Sequence, residues 1–443
     1  MQHESIELLS QYLQIDTTNP PGNEYKGTAF FADIFEKEGF AYTIYEPEGA
    51  AGKGRCSVSA RIAGSGQDDP LILLNHIDVV PAEKDQWSCD PFGGEVKDGF
   101  IHGRGALDMK CQGIMELLAF LSVLRSGRVP KRDIVFLAVA DEEVGGVYGT
   151  DFILKSHSEE FSSGLVLNEG GYGVVNLLPD GRPLILIAAA EKATNWMQIS
   201  AQGPPGHGSV PQPDNALERL VRGLNRLQQM ENPITITETT AEYFKRLAEA
   251  WDFLRPYQAD GREETLIKCL IDSGFADIPQ VSATIRNTVS TNVMAAGGSV
   301  NVIPSRAEAK LDVRILPGQD PEAFKARIEE QLADDGLSVS FIACDRALAS
   351  PYDTPAFAAM EAVFKRRFPE AVVTPFLVFG STDSRFFREK GLTSYGVCPV
   401  MLAMEDIQMV HGIDEKISEE NMILGTDIYT EIIATLCGLE GAK

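Results

Sequence analysis

The chain has 443 residues, 44% of them hydrophobic, and 39 basic against 64 acidic side chains give it a net charge of −25. That length is enough for a large core and two or three domains, and so acidic a surface repels nucleic acid and anionic membranes, excluding both as expected partners. Seven scattered cysteines without C-x-x-C spacing, an acidic start without a signal pattern, and no apolar run near the ~20 residues of a membrane span lead us to expect a reduced, cytoplasmic protein.

In chain order, Ile6–Tyr12 predicts a first helix, broken by Asn19-Pro20-Pro21-Gly22, and Gly27–Gly39 a second. Strands are then expected over Tyr42–Tyr45, Ser57–Ile62 and Leu71–His76, a helix from about Lys110 to Ser126, and strands over Ile134–Ala140 and Leu165–Asn168. Such alternation predicts an α/β sheet, mostly parallel. Around Glu191 the character changes. Strand Asn195–Ala201, helix Asn215–Gln229, strand-like Val281–Met294 and Asn301–Leu316, helix Asp320–Ala333 and strand Leu337–Ile342 follow the βαββαβ order of a ferredoxin-like domain. An acidic, helix-prone insert from about Ile236 to Asp277 interrupts it. From Cys344 the α/β character resumes, with a helix over Ala356–Arg367, a strand over Val372–Phe379 and a helix near Glu420–Leu436. The expected organisation is a catalytic domain in two pieces, 1–191 and 344–443, with a smaller domain, 192–343, inserted between them.

Strand Leu71–His76 leads into His76-Ile77-Asp78. Side chains alternate along a strand, so His76 and Asp78 point to one side, where the Asp78 carboxylate can hold the imidazole while its other nitrogen binds a metal. Asp108 directly precedes a helix, Asp141-Glu142-Glu143 ends the Ile134–Ala140 run, Glu169 ends Leu165–Asn168, and His411 lies in Val410-His411-Gly412-Ile413-Asp414-Glu415. Singly, these residues read as a core histidine, an N-cap, a solvated loop and a turn residue. Jointly they read otherwise. Open α/β sheets bind ligands outside the carboxyl ends of their strands, so most of these groups should converge on one crevice. Two histidines and several carboxylates without thiolate suit Zn²⁺ or a similar first-row dication. One ion does not neutralise so many crowded acids; two, about 3.5–4 Å apart and bridged by one carboxylate, would.

Further motifs run through the chain: Gly103-Arg104-Gly105-x-x-Asp108-Met109-Lys110, Asn168-Glu169-Gly170-Gly171, Gly206-His207-Gly208-Ser209, Asn301-Val302-Ile303-Pro304, Asp312-x-Arg314-x-x-Pro317-Gly318 and Gly380-x-Thr382-Asp383-x-Arg385. With these the chain resembles the co-catalytic zinc metallopeptidases and amidohydrolases that include aminoacylase, acetylornithine deacetylase, succinyl-diaminopimelate desuccinylase and carboxypeptidases of the S and G types. The resemblance covers nearly the whole length. It implies a zinc-exopeptidase-like catalytic domain and an inserted lid and dimerisation domain.

It also implies two Zn²⁺ per subunit, with Co²⁺ or Mn²⁺ as alternatives. Asp108 would bridge them, His76 and Glu169 would complete one site, and Glu143 and His411 the other. Glu142 would be the general base, Asp78 would orient His76, and the Asp108–Met109 peptide would be cis. His207 would reach the neighbouring subunit's site in a homodimer formed through the inserted domain. Arg314 and Asn301 would bind substrate, with Gly380, Ser381 and Thr382 adding donors near its carboxylate; a salt bridge to Asp312 is the plainer reading of Arg314. Two departures, Asn75 before the histidine and the long insert, bear on specificity. The implied reaction is cleavage of an amide on the amino side of an amino acid with a free carboxylate. The alternatives are a dipeptidase or aminopeptidase of the same family, and an inactive relative that only binds.

Overall fold

A computed structural model of the chain describes residues 3–49 and 54–439. Its centre is a ten-stranded sheet. Strands Leu71–His76, Ile134–Val139 and Leu165–Asn168 are buried along their whole length, as near-continuous apolar runs are when both faces of a sheet are covered. They lie parallel and adjacent, and Thr393–Gly396 continues the set beyond Leu165–Asn168. Alternate side chains feed two cores. Leu71, Leu73, Ile134 and Phe136 face the helices Lys110–Ser126 and Glu419–Leu436, while Ile72, Leu74, Val135 and Leu137 pack with Ile153, Leu154 and Phe387 on the other face. Helix Lys110–Ser126 stops at Gly127, whose φ of 64° is the left-handed conformation that ends helices at glycine.

A separate antiparallel sheet has the order Thr288–Ala296, Arg306–Ile315, Ala193–Gln202, Leu337–Phe341. Burial alternates along Ala193–Gln202 and Arg306–Ile315, so one face is covered and the other is not. Helices Ala216–Leu227 and Pro321–Leu332 cover that face around a core of their own, with Leu220, Phe324 and Ile328 at its centre. The strand order is that of a ferredoxin-like unit.

Three differences from the sequence reading have physical causes. The segment Glu238–Ile285 contains helices Glu238–Leu247, Arg255–Asp260, Glu263–Asp272 and Pro279–Ile285, and these pack on the large sheet rather than the smaller one. Phe244, Leu247, Trp251, Leu254, Leu266 and Leu270 bury against Leu184, Leu186 and Val372. Residues 281–285 are helical where a strand was expected, because Pro279 opens a helix there. Finally, Leu184–Glu191 and Thr393–Gly396 are strands of the large sheet that the pattern reading missed. No described helix is long and apolar enough to cross a membrane.

Candidate active site

Three of the parallel strands end at one edge of the sheet, and each delivers acid or imidazole there: His76 at the end of its strand, Glu142 and Glu143 after Ile134–Val139, Glu169 after Leu165–Asn168. Asp108 arrives from the turn before helix Lys110–Ser126, across a cis Asp108–Met109 peptide. His411 comes from a loop with a left-handed backbone, φ 60°. His76 Nε2 lies 3.1 Å from Asp108 Oδ1 and 3.8 Å from Glu169 Oε1. His411 Nε2 lies 3.1 Å from Asp108 Oδ2 and 3.2 Å from Glu143 Oε2. Asp108 therefore presents one oxygen to each of two clusters, His76–Asp108–Glu169 and Asp108–Glu143–His411. All five sequence-derived ligands are brought together.

The donor set fits two divalent cations. Burial, followed by the Glu169 carboxylate, raises Glu142 well above the ordinary carboxylate range; burial and Asp108 do the same to Glu169 and raise Glu143. Glu143 Oε1 is buried without a hydrogen-bond partner. Positive charge between these groups relieves both the repulsion and the orphaned oxygen. Glu142 belongs to neither cluster.

Surrounding residues fix this geometry. His76 Nδ1 donates to the main-chain carbonyl of Asp78 at 2.9 Å, which fixes the ring with Nε2 turned toward Asp108. The Asp78 carboxylate stands 3.7 Å from the ring and accepts instead from the N–H groups of Glu142 and Glu143, both at 3.1 Å, and from Asn19 Nδ2 at 2.8 Å. Asp78 thus orients His76 through its backbone and the Glu142–Glu143 turn through its side chain, a correction to the expected carboxylate grip. Asp141 adopts φ 73° and is held there by Arg55 Nη1 at 2.6 Å and by the Tyr148 N–H at 3.0 Å.

Glu415 is the residue that pattern reading overlooked. Its Oε1 accepts from the N–H groups of Leu107 (2.7 Å) and Asp108 (3.1 Å), and its Oε2 from Gly105 N–H (3.0 Å) and Arg104 Nη1 (2.7 Å). The segment that delivers His411 therefore also cradles the turn that delivers Asp108. Lys110 is likewise structural, donating to the carbonyls of Tyr12 and Ile15. At Gly396, any Cβ would collide with the Glu169 carbonyl, so the close approach that seats Glu169 requires glycine there.

Of the substrate-side residues, Thr382 donates both its N–H (2.6 Å) and its hydroxyl (2.8 Å) to buried Glu191, which pairs with Arg388 at 2.6 Å. Gly380 and Ser381 lie on the same turn, half-buried. Arg385, four residues beyond Ser381, is buried and donates to Thr382 O and Gly145 O at 2.9 and 2.8 Å. Arg314 pairs with Asp312 through Nε (2.7 Å) and Nη2 (3.2 Å) and with Thr194 through Nη1 (2.7 Å). A guanidinium has five donors, so two N–H groups remain. His207 and Asn301 come together on the smaller domain: His207 pairs with Val302, and the Gly208 N–H donates to the Asn301 carbonyl at 2.8 Å. Both are exposed, and the His207 ring bonds with Ser209.

A parallel sheet with a two-cluster carboxylate–imidazole centre at its carboxyl edge defines the class. A model of Peptidase family M20/M25/M40 matches residues 72–435, and the chain belongs to that family, a family of metal-dependent hydrolases. Among relatives, it is 31% identical over 356 residues to the human (Homo sapiens) N-fatty-acyl-amino acid synthase/hydrolase PM20D1, covering 79% of this chain and 70% of that protein. It is 28% identical over 448 residues to aminoacylase-1 of Sus scrofa, covering 99% of this chain and 96% of that protein. Among solved structures, the M20 family metallo-carboxypeptidase Sso-CP2 from Sulfolobus solfataricus aligns with a TM-score of 0.74 at 19% identity, over 99% of this chain and 100% of that one.

Proposed function

We propose that this protein is a dinuclear zinc amidohydrolase acting on N-acyl amino acids with a free carboxylate. The observation that carries the reading is Asp108, with one oxygen turned to each histidine-containing cluster. Two cations held there would supply an acidified water and an electrophile for the amide carbonyl. Glu142, outside both clusters, takes the proton of the attacking water and returns it to the leaving nitrogen. The two unshared N–H groups of Arg314 suit a planar carboxylate, and Gly380 and Ser381 add donors near it. The names of relatives sharing 28–31% identity, an N-fatty-acyl-amino acid synthase/hydrolase and an aminoacylase, support the acyl-amino-acid class.

His207 acts in the site of a second copy, paired through the inserted domain, as an oxyanion donor to the scissile carbonyl, with Asn301 beside it. Support comes from the exposure of both residues and of Val293, Met294 and Val302 nearby in sequence. The test is metal content together with hydrolysis of N-acetyl amino acids and dipeptides, before and after chelation. About two metals per chain and chelator-sensitive, zinc-restored hydrolysis of acyl amino acids is expected. Preferred cleavage of dipeptides would move the substrate class, and no turnover after Zn²⁺, Co²⁺ or Mn²⁺ would sink the reading.

A further inference from the structure

Beside the two clusters opens a cavity of about 330 Å³. Asp108 and Glu169 line it on the side of the clusters, and its walls include Tyr172, Phe376, Val400, Leu402 and Ile407. Among the described residues, no lysine, arginine or histidine lines it. A substrate carboxylate has no cationic partner among these lining residues, whereas the basic side chains Arg314 and Arg385, which both act on Asp345, do not line the cavity. A pocket of this size and lining suits an apolar group.

Behind this cavity lies a second, of about 70 Å³, walled by Thr240, Tyr243, Val281 and Thr284 of the helical insert. Phe376 and Phe379 line both cavities. Phe376 is the better fixed of the two. It is half-buried in strand Val372–Val378, opposite Ala188 where the pairing register shifts, and its ring packs 5.9 Å from that of Tyr243. Tyr172 and Ile407, also in the first cavity's wall, pack on the insert's own core. The insert thus backs the wall of the pocket without lining it, and Phe376, with Phe379 beside it in sequence, stands between the pocket and a further chamber that the insert does line.

We infer that the first cavity holds an apolar acyl chain, and that Phe376 sets the chain-length limit by closing off the chamber made by the insert. The inference rests on the acyl-amino-acid reading for its catalytic readout. Each methylene that enters adds binding free energy until the ring stops it. Removing the ring joins the chambers, and a bulky side chain at 281 fills the added space.

The test uses the zinc-loaded protein and two substrate series: N-acylglycines from acetyl to stearoyl, and N-acetyl amino acids with alanine, leucine and phenylalanine side chains. In the first series kcat/KM should rise roughly fourfold per methylene up to a limit and then fall. Phe376→Ala should move that limit to longer chains, and Val281→Phe in that background should move it back. A limit that stays put in a folded Phe376→Ala protein overturns the inference, as does a Phe376→Ala effect confined to the side-chain series. Displacement of a fluorescent fatty acid by saturated fatty acids of graded length is read in parallel. A graded affinity that Phe376→Ala shifts, without hydrolysis of either series, keeps the pocket assignment and removes the amidohydrolase reading. No length dependence in binding or turnover removes the pocket assignment.

Discussion

At the scale of single residues, Glu142 and Glu415 do different work with the same functional group. Glu142 is half-buried near other carboxylates and lies outside both clusters, the position of a group free to exchange a proton. A base works only when ionised, so activity should rise with pH through its pKa. Glu142→Gln should lower kcat by about 10²–10⁴-fold and abolish that acid limb, while metal analysis still finds both ions. Loss of metal along with activity would instead make Glu142 a ligand. Glu415 accepts four N–H bonds from the Asp108 turn. An amide there turns one acceptor oxygen into a donor facing donors. Glu415→Gln should therefore weaken metal affinity by about 10–100-fold, measured by chelator competition; unchanged affinity would show that the turn holds without it.

At the scale of elements, helix Lys110–Ser126 carries a buried acid in its middle. Glu116 accepts from Asn75 Nδ2 at 2.8 Å and from Gln112 Nε2 and Tyr429 Oη, both at 2.9 Å, yet burial still raises its pKa to about 8. Because the folded state holds that proton more tightly than the unfolded chain, its stabilising contribution is complete below about 4.5 and is lost as pH rises toward about 8. Glu116→Gln, which cannot ionise, should flatten the fall in unfolding free energy over that interval, followed by denaturant midpoints at constant metal. A parallel fall in both proteins would move the effect elsewhere. The same helix shows what sequence makes legible. Long apolar runs such as Leu71–Leu74 and Ile134–Val139 announce buried parallel strands, and the acids and imidazoles at their ends announce the site. Leu184–Glu191 is just as buried, but its Ala188-Ala189-Ala190 portion carries little strand signal, and Thr393–Gly396 is short and polar at its start; both depend on neighbours already in the sheet. Glu415 stayed hidden because three backbone donors and one arginine leave no sequence signature. The packing of Glu238–Ile285 on the catalytic sheet was equally unreadable, since amphipathic helices show that a face is buried but not against what.

For the molecule as a whole, the question is whether one chain makes a complete site. The proposed ligands, the proposed base and the Glu415 cradle all lie with the large sheet, while His207 and Asn301 sit exposed on the smaller domain. If His207 serves a second copy, then Glu142→Gln and His207→Ala damage different halves of a shared unit. In a mixed dimer, the subunit with intact Glu142 receives intact His207 from its neighbour, so one of the two sites is whole. Two separately inactive variants, unfolded together and refolded or co-expressed, should then recover about a quarter of wild-type activity for random pairing in a symmetric dimer. Each variant refolded alone should recover none. If the mixture stays as inactive as its parts while sedimentation shows dimers, His207 acts within its own chain or not at all. If it stays inactive and the protein sediments as a monomer, a single chain must make the whole site, and domain closure within that chain is what brings His207 to the carbonyl.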